Sequence, residues 1–180
     1  MTIILKTAFV LCYLSFALLG EGYSQEPPLE GHTSEALQKE RGKVADESDV
    51  FFEDDMMHQV FYHYLQVQRA LVDSDAAAAQ TAAARLAKYL TDEYASLNVL
   101  SQQIADADDI EQQRAFFAEF TAQVEPFVKE TLSDGKIYKQ FCPMAFNNKG
   151  AYWLANTKNI KNPYFGGGML TCGRTEETIQ

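Results

Sequence analysis

The sequence predicts an all-α protein, an antiparallel bundle of three to four helices closed by a loop-rich, aromatic C-terminal cap. Three observations carry this reading. Apolar residues between 49 and 135 recur at helical spacings, with no sustained period-two alternation. Residues 76–97 are rich in alanine, the strongest helix former. Residues 136–180 combine dense aromatics with glycine and asparagine, which form turns.

The helical elements follow in order. Met57, Val60, Phe61, Tyr64, Val67 and Leu71 share one helix face, and Glu53, Asp54 and Asp55 sit in the opening turns, where the helix dipole favours negative charge. Asp73-Ser74-Asp75 supplies a stop and a fresh N-cap. Ala83, Leu86, Leu90, Tyr94 and Leu97 form the next stripe, with Asn98 as the expected C-terminal cap. Asp108 and Glu111 are spaced as a capping box for a further helix, whose apolar face runs through Phe117, Phe120, Val124 and Phe127. Pro126 is expected to kink that helix or split it in two. Ser133-Asp134-Gly135 ends the helical part. Beyond it, Phe141, Phe146, Tyr152, Trp153, Tyr164 and Phe165 should anchor a compact cap on the bundle.

Ahead of this domain, residues 1–24 read as a signal peptide. Lys6 precedes a run from Thr7 to Leu19 that is apolar apart from Ser15, and Gly22 and Ser24 are small residues at a suitable cleavage point. The run is shorter than the roughly 20 apolar residues a transmembrane helix needs, so after cleavage the chain is not expected to be an integral membrane protein. A lipoprotein cysteine would be Cys12, but Leu11 stands where a small residue is required. Residues 25–48 are polar and charged and read as a flexible leader; residues 49–180 form the domain. Export is expected to place that domain outside the cytoplasm.

The formal net charge is −10, and removing Lys6 and Glu21 with the signal peptide leaves it unchanged. That balance argues against nucleic acid and anionic lipid, both of which reward clustered Lys and Arg. No catalytic constellation stands out, so an enzyme is not expected. Gly166-Gly167-Gly168 lacks the Lys-Ser/Thr of a phosphate loop, and neither Cys-x-x-Cys nor Cys-x-x-Cys-His occurs. His58 and His63 are five apart on a helix and face different directions, and His32 falls in the leader. Neighbouring acids such as Asp54-Asp55 and Asp108-Asp109 sit where helix starts need them.

The residues that could carry chemistry are four sulfur side chains within 136–180. Cys142 and Met144 flank Pro143, and Met169 and Cys172 lie one turn apart. Three readings are open on spacing. Cys142 and Cys172 form a structural disulfide, worth about 3–4 kcal/mol on the loop-entropy model; or the four sulfurs hold a soft ion such as Cu(I) or Ag(I); or the thiols are buried and unpaired. Zinc would need His58, His63 or a carboxylate to complete its set.

Four short motifs then occur in close order: Phe141-Cys142-Pro143-Met144-Ala145, Gly150-Ala151-Tyr152-Trp153-Leu154, Ile160-Lys161-Asn162-Pro163-Tyr164-Phe165-Gly166 and Met169-Leu170-Thr171-Cys172-Gly173. With Tyr64-Leu65, Ala70-Leu71-Val72 and the Ala-rich helix, they resemble a bacterial periplasmic domain family of unknown function (family 3347). Its members stand alone as exported proteins or are fused to the C-terminus of adaptor (membrane-fusion) proteins of copper/silver-type heavy-metal efflux pumps. The resemblance spans roughly residues 55–179 and departs at 146–149 and at Gly167-Gly168. It implies a helical periplasmic domain that handles copper or silver, with Cys142, Met144, Met169 and Cys172 as ligands, Trp153 and Tyr164 walling the site, and an efflux adaptor as partner. The alternative is a disulfide-stapled helical domain that binds a protein partner without metal, through Tyr and Phe side chains around Gly166–Gly168.

Overall fold

A computed structural model describes residues 49–180; the expected signal peptide and leader lie outside the described residues. Four helices make the body: α1 (Asp55–Val72), α2 (Ala76–Leu86), α3 (Ala95–Asp106) and α4 (Ile110–Thr131). Each packs against the next through a short connection, and α1 also packs against α4. Short links between packed neighbours impose antiparallel order.

The N-terminal caps are aspartates. Asp54 accepts from Met56 N at 2.8 Å, Asp75 from Ala78 N at 2.9 Å and Asp109 from Glu111 N at 3.1 Å. The last corrects the expected cap by one residue, from Asp108 to Asp109. The Ala-rich stretch also departs from expectation. It breaks after Leu86 into two short 3-10 turns and restarts at Ala95. Asn98 therefore lies inside α3, and it caps from the side: its Nδ2 donates to Ala87 O at 2.8 Å and Leu90 O at 3.1 Å. Pro126 does not split α4. Pro126 and Ala122, whose carbonyl loses its helical donor, are both exposed, so water can replace the missing bond.

The larger correction concerns the last segment. The protein is mostly helical but not all-α, because residues 137–179 contain a three-stranded antiparallel sheet. Strand β1 (Phe51–Phe52) pairs with β2 (Leu132–Asp134) at the end of α4. The main sheet has the order β4 (Ala151–Ala155), β3 (Ile137–Cys142), β5 (Arg174–Ile179), with β3 in the middle. These strands hide from pattern reading for physical reasons. Four of the five residues of β4 are buried, so it shows no alternation, while β5 is exposed along most of its length and carries no apolar period.

Tyr64 joins the layers. Its buried hydroxyl receives a hydrogen bond from Leu154 N in β4 at 3.0 Å and shares another with Thr121 Oγ1 in α4 at 2.9 Å. The ring stacks on Phe117 at 4.9 Å, and burial holds the phenol well above its ordinary pKa. A helix side chain thus satisfies an edge-strand N–H that water cannot reach. Tyr64→Phe should lower the unfolding free energy by about 2 kcal/mol, since it leaves that N–H unpaired. Urea denaturation checks this, and a change within error of zero would mean that the edge N–H finds another partner.

Candidate functional site

The site forms where the middle strand runs out. Strand β3 delivers Cys142 to its C-terminal end, opposite Ala151 of β4. Cys142 is fully buried. Pro143 ends the strand, and the chain turns through Phe146, Asn147 and Asn148, all with positive φ. Asparagine accepts this conformation, but phenylalanine rarely does. Packing of the Phe146 ring on Tyr164, at 5.3 Å, helps hold it.

The second half comes from the segment between β4 and β5. Asn162, fully buried, organises it with four bonds, one of them from Gly166 N to its backbone O at 3.2 Å. Its Oδ1 accepts from Tyr164 N at 2.8 Å, its backbone N donates to Leu170 O at 2.8 Å, and its Nδ2 donates to Cys172 O at 2.9 Å. Cys172 N donates to Met169 O at 3.0 Å and closes a single turn. Arg114, buried in α4, anchors the front of this segment. Its guanidinium donates to Pro163 O at 2.9 Å, Leu71 O at 3.3 Å and Ser74 Oγ at 3.1 Å, and pairs with the exposed Glu111 at 2.5 Å. Gly166, at φ +56°, lets the loop lie on the α1–α2 turn, where a Cβ would come within 2.9 Å of Val72 O.

These supports bring the two thiols together. Cys142 Sγ and Cys172 Sγ are 2.9 Å apart, and both cysteines are free. Cys172 is only partly covered, so the pair has one buried and one accessible sulfur. The hydrogen bond in which Cys172 S–H donates to Cys142, and then burial, raise the Cys172 pKa above its ordinary value, while the Met144 backbone N–H pulls it the other way. Alkylation of Cys172 should therefore reach half its maximal rate above the usual thiol pKa of about 8.5, because the thiolate forms only at higher pH. Cys142→Ala should bring that midpoint down. An unchanged midpoint in rate–pH measurements with iodoacetamide would show that the pair does not set it.

Met144 and Met169 both join the pair through backbone groups, the first by its N–H near the Cys172 sulfur and the second by its carbonyl. Met144 is 46% exposed and Met169 is partly exposed. On the inner side stand two aromatics. Tyr164 is buried here, and its hydroxyl donates to Tyr152 O. Trp153, fully buried, stands 6.0 Å from Tyr164 between ring centroids. Gly173, at φ +147°, passes against Trp153, where a Cβ would meet Trp153 Cη2 at 2.8 Å and Phe141 O at 3.0 Å. Tyr164 is buried, which removes it from the contact surface expected around Gly166–Gly168.

The histidines take other roles. His63 stacks on Tyr89 at 4.9 Å, and burial, then the charge of Arg85, lowers its pKa. His58 meets the edge of Phe52 at 6.4 Å. Among the described residues, no three His, Cys, Asp or Glu side chains gather around one point where an ion would sit. No described helix is long and apolar enough to cross a membrane. Arg114 and Asn162 are the supports that sequence reasoning missed. The available signals were a charged residue on the Phe117–Val124 face of α4 and an Asn-Pro pair inside an aromatic segment.

Among known proteins, residues 60–135 match a family whose description reads "Protein of unknown function (DUF3347)". The match covers most of α1, then α2, α3, α4 and β2, and ends before the strand that carries Cys142. No curated protein matches the chain, and no solved structure does.

Proposed function

We propose that this chain is a periplasmic module that binds a soft monovalent metal ion, Cu(I) or Ag(I), as cargo, and serves heavy-metal efflux or sequestration with an efflux adaptor as its partner. The observation that carries the reading is the approach of Cys142 and Cys172 to 2.9 Å, with one sulfur accessible and two methionines tied to the same turn. Thiols suit Cu(I) and Ag(I) rather than calcium or magnesium, and Met144 and Met169, whose backbone groups bond at Cys172, carry thioethers of the same soft class. An accessible Cys172 and an exposed Met144 also suit transfer, since a partner's ligand can reach the ion before the buried sulfur releases it. Residues 1–24, read as a signal peptide, and the four motifs of the C-terminal segment support the periplasmic and efflux setting.

A second reading rests on the same distance. Two thiols this close in an oxidising compartment tend to join, and the chain would then be a disulfide-stapled helical domain that binds a protein partner without metal. Trp153 separates the two readings, because it is the chain's one tryptophan and touches the residue after Cys172. Added anaerobically to the reduced protein, Cu(I) should change Trp153 emission and saturate at one equivalent. Prior alkylation of Cys172 should remove the effect. Emission that does not respond, or drifts without saturating, would favour the disulfide reading.

A further inference from the structure

We propose that Cys142 and Cys172 form an asymmetric thiol–disulfide couple in which Cys172 is the sulfur attacked by an exported dithiol reductant, so that exchange at Cys172 decides whether the pair is open to metal. Only the consequence for metal rests on the function proposed above; the exchange itself does not.

The geometry favours both states of the couple. At 2.9 Å the sulfurs need little movement to reach the bond length of about 2.05 Å. One cysteine ends a central strand and the other sits in a turn held by Asn162, so closure joins two anchored pieces. Access then sets the direction of exchange. Substitution at a disulfide sulfur proceeds along the S–S axis, with the attacking thiolate opposite the leaving sulfur. Cys142 has no exposed surface and lies behind Cys172 as the leaving group. Cys172 is partly exposed, and Leu170, Thr171 and Arg174 around it are exposed as well. Met144, whose backbone N–H lies near the Cys172 sulfur, is itself exposed and apolar, and an extended peptide bearing a thiol can cover it.

The step balances in two stages. A reductant thiolate bonds to Cys172 Sγ; the Cys142–Cys172 bond breaks, and its electron pair leaves on Cys142 Sγ, which takes a proton. The second thiolate of the reductant then attacks the reductant's own sulfur in the mixed disulfide and expels Cys172 as a thiolate. Two electrons pass to this protein, and the reductant departs as a disulfide.

The test uses the mature chain oxidised with glutathione disulfide, with a strong chelator present throughout. Excess reduced glutathione is added, the reaction is quenched with acid at intervals, and the mixed disulfide is located by peptide mass spectrometry. Glutathione should appear on Cys172 at least about tenfold more than on Cys142, as access dictates. Treated with glutathione disulfide alone, which supplies the oxidising equivalent, the Cys142→Ser variant should accumulate an adduct on Cys172 with release of one reduced glutathione, whereas Cys172→Ser should stay largely unlabelled. Equal labelling, labelling mainly on Cys142, or failure of the wild-type chain to form the intramolecular disulfide would each overturn the proposal. Because metal is excluded, a failed Cu(I) titration would strike the metal reading alone.

Discussion

Arg114→Met should lower the unfolding free energy by about 3–5 kcal/mol, because charge-assisted hydrogen bonds are worth about 1.5–3 kcal/mol each and three are lost without simple addition. The residue is buried at the meeting point of α1, the α1–α2 turn and the loop that opens at Pro163. Methionine fills much of the space but donates nothing, so Leu71 O and Pro163 O lose the donor that Arg114 supplies. The exposed partner Glu111 matters far less, and Glu111→Gln should change stability by under about 1 kcal/mol. Urea denaturation of both variants checks the contrast. The loss should also reach the site, since Arg114 holds the start of the segment that ends at Cys172. Alkylation of the buried Cys142 should therefore be faster in Arg114→Met under conditions where it remains folded. Equal stability losses in the two variants would mean that the ion pair, not the carbonyl bonds, is what Arg114 contributes.

Cys142→Ser and Cys172→Ser should each weaken Cu(I) binding by at least about a hundredfold, more than the 10–100-fold typical of residues that only support a ligand. Serine keeps the shape but offers a hard oxygen in place of a soft sulfur. Met144→Leu and Met169→Leu should cost about tenfold or less, because thioethers are weaker donors and both side chains are partly or largely exposed. Competition with a chromophoric chelator under anaerobic conditions gives the four ratios. Methionine variants as damaging as the cysteine variants would assign the methionines an equal share of the ion.

The helical body was largely legible in the sequence. Met57, Val60, Phe61, Tyr64, Val67 and Leu71 are all buried, as the 3.6-residue period requires. The stripe through Ala83, Leu86, Leu90, Tyr94 and Leu97 is buried too, but it spans a helix end, a 3-10 region and a new helix. No glycine or proline marks that break, and the alanine-rich run conceals it. The C-terminal sheet was not legible, because its strands lack the alternation that a half-buried sheet imposes.

The site divides in the same way. Two sulfur pairs at short spacing made Cys142, Met144, Met169 and Cys172 visible as candidates, and the structure brings the two thiols into contact. What holds them there depends on contacts distant in sequence: Asn162 to Cys172, Arg114 to Pro163 and Tyr64 to Leu154. Each is a buried polar side chain that bonds a backbone group well away from it along the chain. Periodicity does not register such residues. A polar side chain on an otherwise apolar face is the one local sign of them, because burying it without a partner would be costly.

The most direct test of the central claim is an anaerobic Cu(I) titration of residues 25–180 against a competing chromophoric chelator, run on protein isolated without reductant and on the same protein after gentle reduction. The account predicts that the reduced protein takes one ion from the chelator and that the oxidised protein takes none until its thiols are freed. No uptake in either state would contradict it and leave a disulfide-stapled helical domain.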